Sequence, residues 1–146
     1  MVTVRVSSEY PVTQEHLWKH LLRSSTLVYV TFDMQEFSAV ESFPEQWQEG
    51  TEVVTDVKIF GLATVKDYKI KFTKVDESVG EIHTEESGGS VKKWNHIMRA
   101  ERITPKSCRY TDEVEIQGGV ATPLIYAYAS YMYRRRQRYL RELLLI

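Results

Sequence analysis

His96 and Asp112 are the two residues of this chain whose types and spacing favour joint chemistry. His96 lies in an alternating segment from Val91 to Ile103, and Asp112 lies in a second one from Cys108 to Ile116. In such strands every second side chain points to the same face. A short turn between the two strands would pair Met98 with Asp112. His96 would then lie diagonal to Asp112, within reach of a hydrogen bond.

An imidazole beside a carboxylate is compatible with three roles. The carboxylate favours the charged ring while burial opposes it, so the pair can serve as a general acid and base. It can also orient a carbonyl group of a bound ligand. The third role is structural: the two side chains satisfy each other inside the sheet and also hold Arg135 from a helix. The sequence favours the structural role, followed by ligand orientation and then catalysis.

The same alternation predicts which other side chains share a buried face with this pair. The more apolar face of each strand should point inward, because an antiparallel sheet packs one face on the core. Tyr68, Ile70 and Phe72, for example, alternate with Lys69 and Lys71. The predicted ligand-binding residues are Tyr68, Ile70, Phe72, Trp94, His96, Met98, Tyr110, Asp112, Val114, Tyr128, Met132 and Arg135. A stripe of this kind also occurs in an ordinary core.

The elements that position these residues follow from the periodicity of the chain. Val2 to Val6 alternates as a strand, and Thr13 can cap a following helix. Six more strands are predicted over residues 37–43, 51–60, 64–75, 80–86, 91–103 and 108–116. Thr122 and Pro123 then suit the start of a helix that continues to the C-terminus. Its inward stripe is predicted to be Leu124, Tyr128, Met132, Arg135, Tyr139 and Leu143.

This order of elements predicts an α+β helix-grip fold. A seven-stranded, curved antiparallel sheet would wrap around the long C-terminal helix, with two short helices between strands 1 and 2. Short strands joined by turns must be antiparallel. The C-terminal helix is the only predicted element long enough to cover the apolar face of such a sheet. The 146 residues fit a single domain, residues 1–146.

Three stretches of sequence carry a family resemblance. They are residues 11–18 (Pro-Val-Thr-Gln-Glu-His-Leu-Trp), the pair 94–98 (Trp-Asn-His-Ile-Met) and 110–116 (Tyr-Thr-Asp-Glu-Val-Glu-Ile), and residues 133–139 (Tyr-Arg-Arg-Arg-Gln-Arg-Tyr). With the element order, they resemble small bacterial-type members of the START-like, or SRPBCC, superfamily. This superfamily includes the birch-pollen allergen, lipid-transfer START domains and polyketide cyclases. The resemblance implies a ligand cavity between the sheet and the last helix, but no single chemistry.

Three functions are compatible with such a cavity. The leading hypothesis is binding or transport of a small hydrophobic ligand such as a lipid, an isoprenoid or an aromatic polyketide-like metabolite. The first alternative is an enzyme of the cyclase or dehydratase type that uses His96 and Asp112. The second is a protein-interaction module, similar to co-chaperone members of the superfamily, with a filled core and an exposed apolar patch.

Composition and motifs exclude several other classes. The net charge of −1 predicts no nucleic-acid partner. The chain shows no signal-peptide pattern and no apolar run of membrane-spanning length, and it has one cysteine; we therefore expect a cytoplasmic protein. No phosphate loop, dinucleotide fingerprint or nucleophile elbow occurs, so we expect no cofactor. His16 and His20 have a metal-ligand spacing but no third partner, and we expect no metal. Cys108 lacks a catalytic partner motif.

Arginines are concentrated near the end of the predicted C-terminal helix. Four of them occur within residues 134–138, and Arg141 follows one turn later. Positive side chains are favoured near a helix C-terminus by the helix dipole. We interpret the run as a solvated face, with Arg135 on the inward stripe as its exception. The alternative is contact with an anionic membrane surface through Arg134, Arg136, Arg138 and Arg141.

Overall fold

Seven strands and three helices follow one another along the chain in the predicted order. The structure is a computed structural model that describes residues 1–146. The strands are β1 (Val2–Tyr10), β2 (Gln35–Phe37), β3 (Glu52–Ile59), β4 (Ala63–Asp76), β5 (Glu81–Gly88), β6 (Val91–Thr104) and β7 (Ser107–Gln117). The helices are α1 (Gln14–Leu22), α2 (Ser24–Thr31) and α3 (Thr122–Leu144). Short 3₁₀ turns cover Val40–Ser42 and Gly119–Ala121.

The strands form one antiparallel sheet in the order β1-β7-β6-β5-β4-β3-β2. The first strand therefore pairs with the last, and β1 and β2 form the two edges of the sheet. Register shifts interrupt four of the six pairings, between β3 and β4, β4 and β5, β5 and β6, and β6 and β7. Such bulges bend a strand and increase its twist. They curve the sheet around α3.

The predicted helix starts are only partly confirmed. The Thr13 side chain caps α1 by accepting a hydrogen bond of 3.1 Å from the backbone N–H of His16. At the other end of the chain, Thr122 is already inside α3, and Ala121 occupies the cap position. The Thr122 hydroxyl instead donates to the Gly119 carbonyl at 2.7 Å. It thereby closes the turn that leads from β7 into the helix.

The buried face of α3 differs from the predicted stripe. The buried residues are Ala129, Met132, Tyr133, Gln137, Leu140 and Leu144. Leu124, which was predicted to face the sheet, is 76% exposed. The predicted stripe steps three residues on from Met132 to Arg135, whereas the buried face steps four residues on from Tyr133 to Gln137. Both steps stay close to one helix face, so spacing alone does not distinguish them.

The prediction of a strand over residues 37–43 was wrong. Strand β2 covers Gln35–Phe37, and the chain turns away from the sheet directly after it. The Thr55 hydroxyl of β3 accepts a hydrogen bond of 3.0 Å from the backbone N–H of Ala39. A side chain thus takes the place of the next ladder carbonyl, which is a known way for threonine to end regular structure.

Candidate functional site

A cavity of about 130 Å³ lies between the sheet and the helices α2 and α3. Nineteen of its 27 lining residues are apolar, so most of its wall offers no hydrogen bond. Ten of the twelve predicted ligand-binding residues line it: Tyr68, Ile70, Phe72, Trp94, His96, Met98, Tyr110, Asp112, Tyr128 and Met132. The strand parities that predicted these residues are therefore correct in β4, β6 and β7, although ligand binding by them remains a prediction.

Two predicted lining residues lie elsewhere. Val114 is fully buried but packs in the core cluster with Val4 and Met132, and it does not reach the cavity. Arg135 lies on the outer side of α3, where it donates to the carboxylate of Asp33 at 2.6 Å. It therefore does not hold the His96–Asp112 pair. The next residue along the helix, Arg136, lines the cavity instead.

Several lining residues were missed by the sequence analysis. Glu86 and Thr84 line the cavity from β5, and Trp47 lines it from an irregular segment before β3. Glu86 was detectable, because Ile82, Thr84 and Glu86 alternate with the more polar face of their strand. Trp47 stands alone between polar residues and follows no periodicity. The remaining missed positions lie in α1, α2, the sheet and α3, and include Leu21, Thr26, Leu27, Val30, Tyr133 and Leu140.

Asp112 is the centre of the polar end of the cavity. Its Oδ1 accepts hydrogen bonds from His96 Nε2 at 2.6 Å and from the Tyr110 hydroxyl at 2.7 Å. Its Oδ2 accepts from Gln137 Nε2 at 3.0 Å. The pairing of Met98 with Asp112 places His96 diagonal to the carboxylate, as predicted. Gln137, rather than Arg135, is the helix residue that joins the pair.

These contacts set the charge of Asp112. Burial alone would raise its pKa, but the hydrogen bond and the charge of His96, together with Arg136 and Gln137, outweigh burial and hold the pKa below its usual value. Asp112 is therefore a carboxylate near neutral pH. Burial and the negative charge of Asp112 raise the pKa of Tyr110, so this hydroxyl stays protonated and acts as a hydrogen-bond donor to Asp112.

One nitrogen of His96 remains available. His96 Nε2 is bonded to Asp112, whereas Nδ1 forms no hydrogen bond with the protein. Every buried side-chain nitrogen or oxygen atom of the chain has a hydrogen-bond partner, so the unbonded Nδ1 keeps some accessible surface. Because His96 lines the cavity, a ligand can reach this atom. A ring oriented by a carboxylate on one side can exchange a proton on the other.

Glu86 is a second carboxylate on the cavity wall. Its Oε1 accepts a hydrogen bond of 2.9 Å from the Tyr68 hydroxyl, and its Oε2 accepts one of 2.7 Å from Thr84. Burial, reinforced by the charge of Glu86, raises the pKa of Tyr68 well above its usual value. Both carboxylates facing the cavity therefore already have protein donors on both oxygen atoms.

Two arginines line the cavity, the exposed Arg23 at its edge and the half-buried Arg136. The guanidinium carbon of Arg136 lies 5.1 Å from the centre of the Tyr133 ring, a distance typical of a cation–π contact. The Tyr133 hydroxyl in turn accepts a hydrogen bond of 3.0 Å from Trp94 Nε1. Arg136 forms no hydrogen bond and no ion pair with another side chain, and its guanidinium nitrogens keep some accessible surface. Burial tends to lower its pKa, but the surrounding Tyr133, Asp112, Tyr110 and Glu86 outweigh burial and raise it.

The other arginines of the run lie on the outside. Arg134, Arg138 and Arg141 are exposed, and Arg135 shares the Asp33 carboxylate with the Tyr139 hydroxyl. The four-residue surface set proposed from the sequence therefore loses Arg136, while a role of the other three at a membrane surface stays a prediction. No helix is both long and apolar enough to cross a bilayer.

The other residues singled out in the sequence, His16, His20 and Cys108, lie outside the cavity lining. His16 Nε2 contacts the Leu144 carbonyl at 3.0 Å, and His20 Nδ1 contacts the His16 carbonyl at 3.0 Å. Each ring is thus bonded to a backbone group near the end of a helix. Cys108 is fully buried, and burial raises its thiol pKa. A protonated, inaccessible thiol is a poor nucleophile.

Several solved structures share this architecture. Norcoclaurine synthase from Thalictrum flavum, in complex with dopamine and hydroxybenzaldehyde, matches with a TM-score of 0.72 and 14% identity over 99% of this chain and 86% of that one. A START superfamily protein from Mycobacterium smegmatis matches with a TM-score of 0.73 and 13% identity, over 97% and 96%. This chain has the helix-grip fold. The predicted resemblance to START-like proteins is thus confirmed at the level of the fold.

A third match shows that the fold is kept at very low sequence identity. A protein from Thermus thermophilus matches with a TM-score of 0.71 and 11% identity, over 99% of this chain and 97% of that one. No protein-family profile matches the sequence, and no curated protein matches it either. The function of this helix-grip chain must therefore be argued from its own cavity.

Proposed function

We propose that the chain binds a small, mainly apolar molecule in the cavity between the sheet and α3. The observation that carries this proposal is the cavity itself, which is lined mostly by apolar side chains and has its polar groups concentrated on a few residues. Ligand sites commonly combine apolar walls with a few polar groups that fix orientation. The protein-interaction alternative predicted a core filled by side chains, and a cavity of about 130 Å³ does not favour it.

The cavity volume favours a compact ligand over a lipid. An apolar cavity of about 150 Å³ is known to admit benzene, and the cavity of this chain is similar at about 130 Å³. Among the predicted ligand classes, a single-ring aromatic molecule thus fits without rearrangement, whereas a long acyl chain does not. The norcoclaurine synthase structure that shares the fold holds dopamine and hydroxybenzaldehyde, both of which are single-ring compounds.

A variant in which a larger side chain fills the cavity should no longer bind a small aromatic ligand. We expect benzyl alcohol to raise the thermal midpoint of the wild-type chain, with a gain in stability of about 2.7 kcal/mol at 100 times the dissociation constant. In Met98→Trp the larger side chain occupies the cavity, since Met98 is half-buried and lines it. Val54→Trp is the matched control, because Val54 is 52% exposed on the sheet. Equal binding by both variants would contradict the proposal.

A second candidate function, acid–base catalysis of the cyclase or dehydratase type, is favoured by the free Nδ1 of His96. A base beside a bound carbonyl compound should exchange the hydrogens next to the carbonyl with solvent. We expect faster deuterium uptake from D₂O by phenylacetone with the wild-type chain than with His96→Ala. Nuclear magnetic resonance measures the uptake. Equal rates for both proteins, at concentrations where the ketone is bound, would exclude the base role of His96.

A further inference from the structure

The cavity carries an excess of hydrogen-bond donors. Each of its two carboxylates is satisfied by the protein: Asp112 accepts three hydrogen bonds and Glu86 accepts two. Arg136, by contrast, has no acceptor among the side chains or carbonyl groups. A guanidinium carries five N–H donors and no acceptor. The unpartnered polar groups of the cavity thus include His96 Nδ1 and, as the largest of them, the Arg136 cation, all of whose N–H groups are donors.

A ligand that fills the cavity comes into contact with the charged guanidinium of Arg136. The pKa of arginine is so high that the side chain keeps its charge in any accessible pH range. While the cavity holds solvent, water can serve the five donors. A bound hydrocarbon would displace that water and leave a charge buried without an acceptor, which is strongly unfavourable. A ligand that supplies its own acceptor avoids this penalty.

The shape of the donor set selects the acceptor. The planar fork of a guanidinium matches a carboxylate with two parallel hydrogen bonds, which are shorter and stronger than neutral ones. The ring of Tyr133 packs against this guanidinium, with its centre 5.1 Å from the guanidinium carbon. Tyr128, one turn before Met132 on the same helix, accepts a hydrogen bond of 2.7 Å from Gln35, so its own hydroxyl proton is free to donate.

From this geometry we infer that the ligand is a small aromatic carboxylic acid whose carboxylate pairs with Arg136. Its ring occupies the apolar part of the cavity, which has room for about one ring. The inference rests on the proposed function and narrows it from a hydrophobic molecule to an anionic one. The negative charges of Asp112 and Glu86 do not replace the ligand, because neither forms an ion pair with Arg136.

The test compares three probes of equal size on one protein. Phenylacetate carries the carboxylate, phenylacetamide keeps a carbonyl without the charge, and phenethylamine carries the opposite charge. We expect titration calorimetry to show phenylacetate binding about 10- to 100-fold more tightly than phenylacetamide, with phenethylamine weakest. Phenylacetamide binding as tightly as phenylacetate overturns the inference and leaves the proposed function standing. Absence of binding by all three overturns both.

Variants locate the anion. Arg136→Met should remove the preference for phenylacetate while phenylacetamide still binds, which also shows that the variant is folded and its cavity intact. Arg136→Lys keeps the charge without the fork and should retain only part of the preference. Arg134→Met removes the same charge from the exposed side of α3 and should change nothing. Arg23 is exposed at the edge of the cavity; loss of the preference in Arg23→Met, but not in Arg136→Met, overturns the assignment.

Discussion

Replacement of Asp112 by alanine is expected to lower the free energy of unfolding by about 3–5 kcal/mol at pH 7. The side chain is 1% exposed, and its removal leaves His96, Tyr110 and Gln137 without their common acceptor. Buried donors that lose a charged partner recover less from water than exposed donors do. Urea unfolding, followed by the fluorescence of the three tryptophans, measures the loss.

The Asp112 contribution should depend on pH in one direction. The folded-state pKa of Asp112 is lower than its value in the unfolded chain, which is about 3.9. Stabilisation by this carboxylate is therefore fully present above about pH 4 and is lost as the pH falls through the lower, folded-state value. The difference between the wild-type chain and Asp112→Ala should shrink as the pH falls below about 4.

Asp33 provides the control for Asp112. It also accepts hydrogen bonds from an arginine and a tyrosine, but its side chain is 28% exposed. Water can replace its partners, so Asp33→Ala should cost far less. A loss in Asp112→Ala no larger than that in Asp33→Ala would contradict the central role of the buried carboxylate.

Replacement of Trp47 by alanine is expected to cost about 3–5 kcal/mol, the usual loss when a large buried aromatic side chain is removed. Trp47 is 4% exposed and stacks on Phe72 with ring centres 4.4 Å apart and planes 18° from parallel. Phe43 also packs against it, with ring centres 5.5 Å apart. Urea unfolding again measures the cost, and Trp47→Phe, which keeps a ring against Phe72, should lose much less.

The same variant should change which molecules bind. Trp47 is part of the cavity wall, so its removal joins the vacated space to the existing cavity. We expect Trp47→Ala to bind naphthalene-sized probes that the wild-type chain excludes, and the bound probe to restore part of the lost stability. An unchanged unfolding midpoint together with unchanged probe selectivity would show that Trp47 does not form this wall.

Much of the site was predictable from strand parity. A period of two places alternate side chains on one face, so Trp94, His96 and Met98 were assigned to the cavity together. The register between β6 and β7 followed from the short turn that joins them, and Met98 does pair with Asp112. Each side chain of a strand points to one of only two faces of the sheet, which explains why these predictions succeeded.

The failures have physical reasons. On a helix, neighbouring residues differ by about 100° around the axis, and consecutive arginines leave the sequence no means to choose between Arg135 and Arg136. The choice is made by Asp33, which lies 102 residues earlier in the chain and binds Arg135 outside. Trp47 belongs to no regular element, so no period could place it. Gln137 was hidden among the arginines, although it donates to both Val6 and Asp112.

The hydrogen bonds between Arg135 and Asp33 hold Arg135 on the outer side of α3. The rotation of the helix about its axis therefore decides which side chains face the cavity. Arg135 and Arg136 have identical side chains, and only their angular positions make one a surface cation and the other an interior one. A deletion of one residue earlier in α3 would turn all that follows by about 100°. Gln137 would then move to the position that Arg136 holds, and the interior would become electrically different without the loss of a single arginine. The polarity of this cavity is thus determined by the number of residues along one helix.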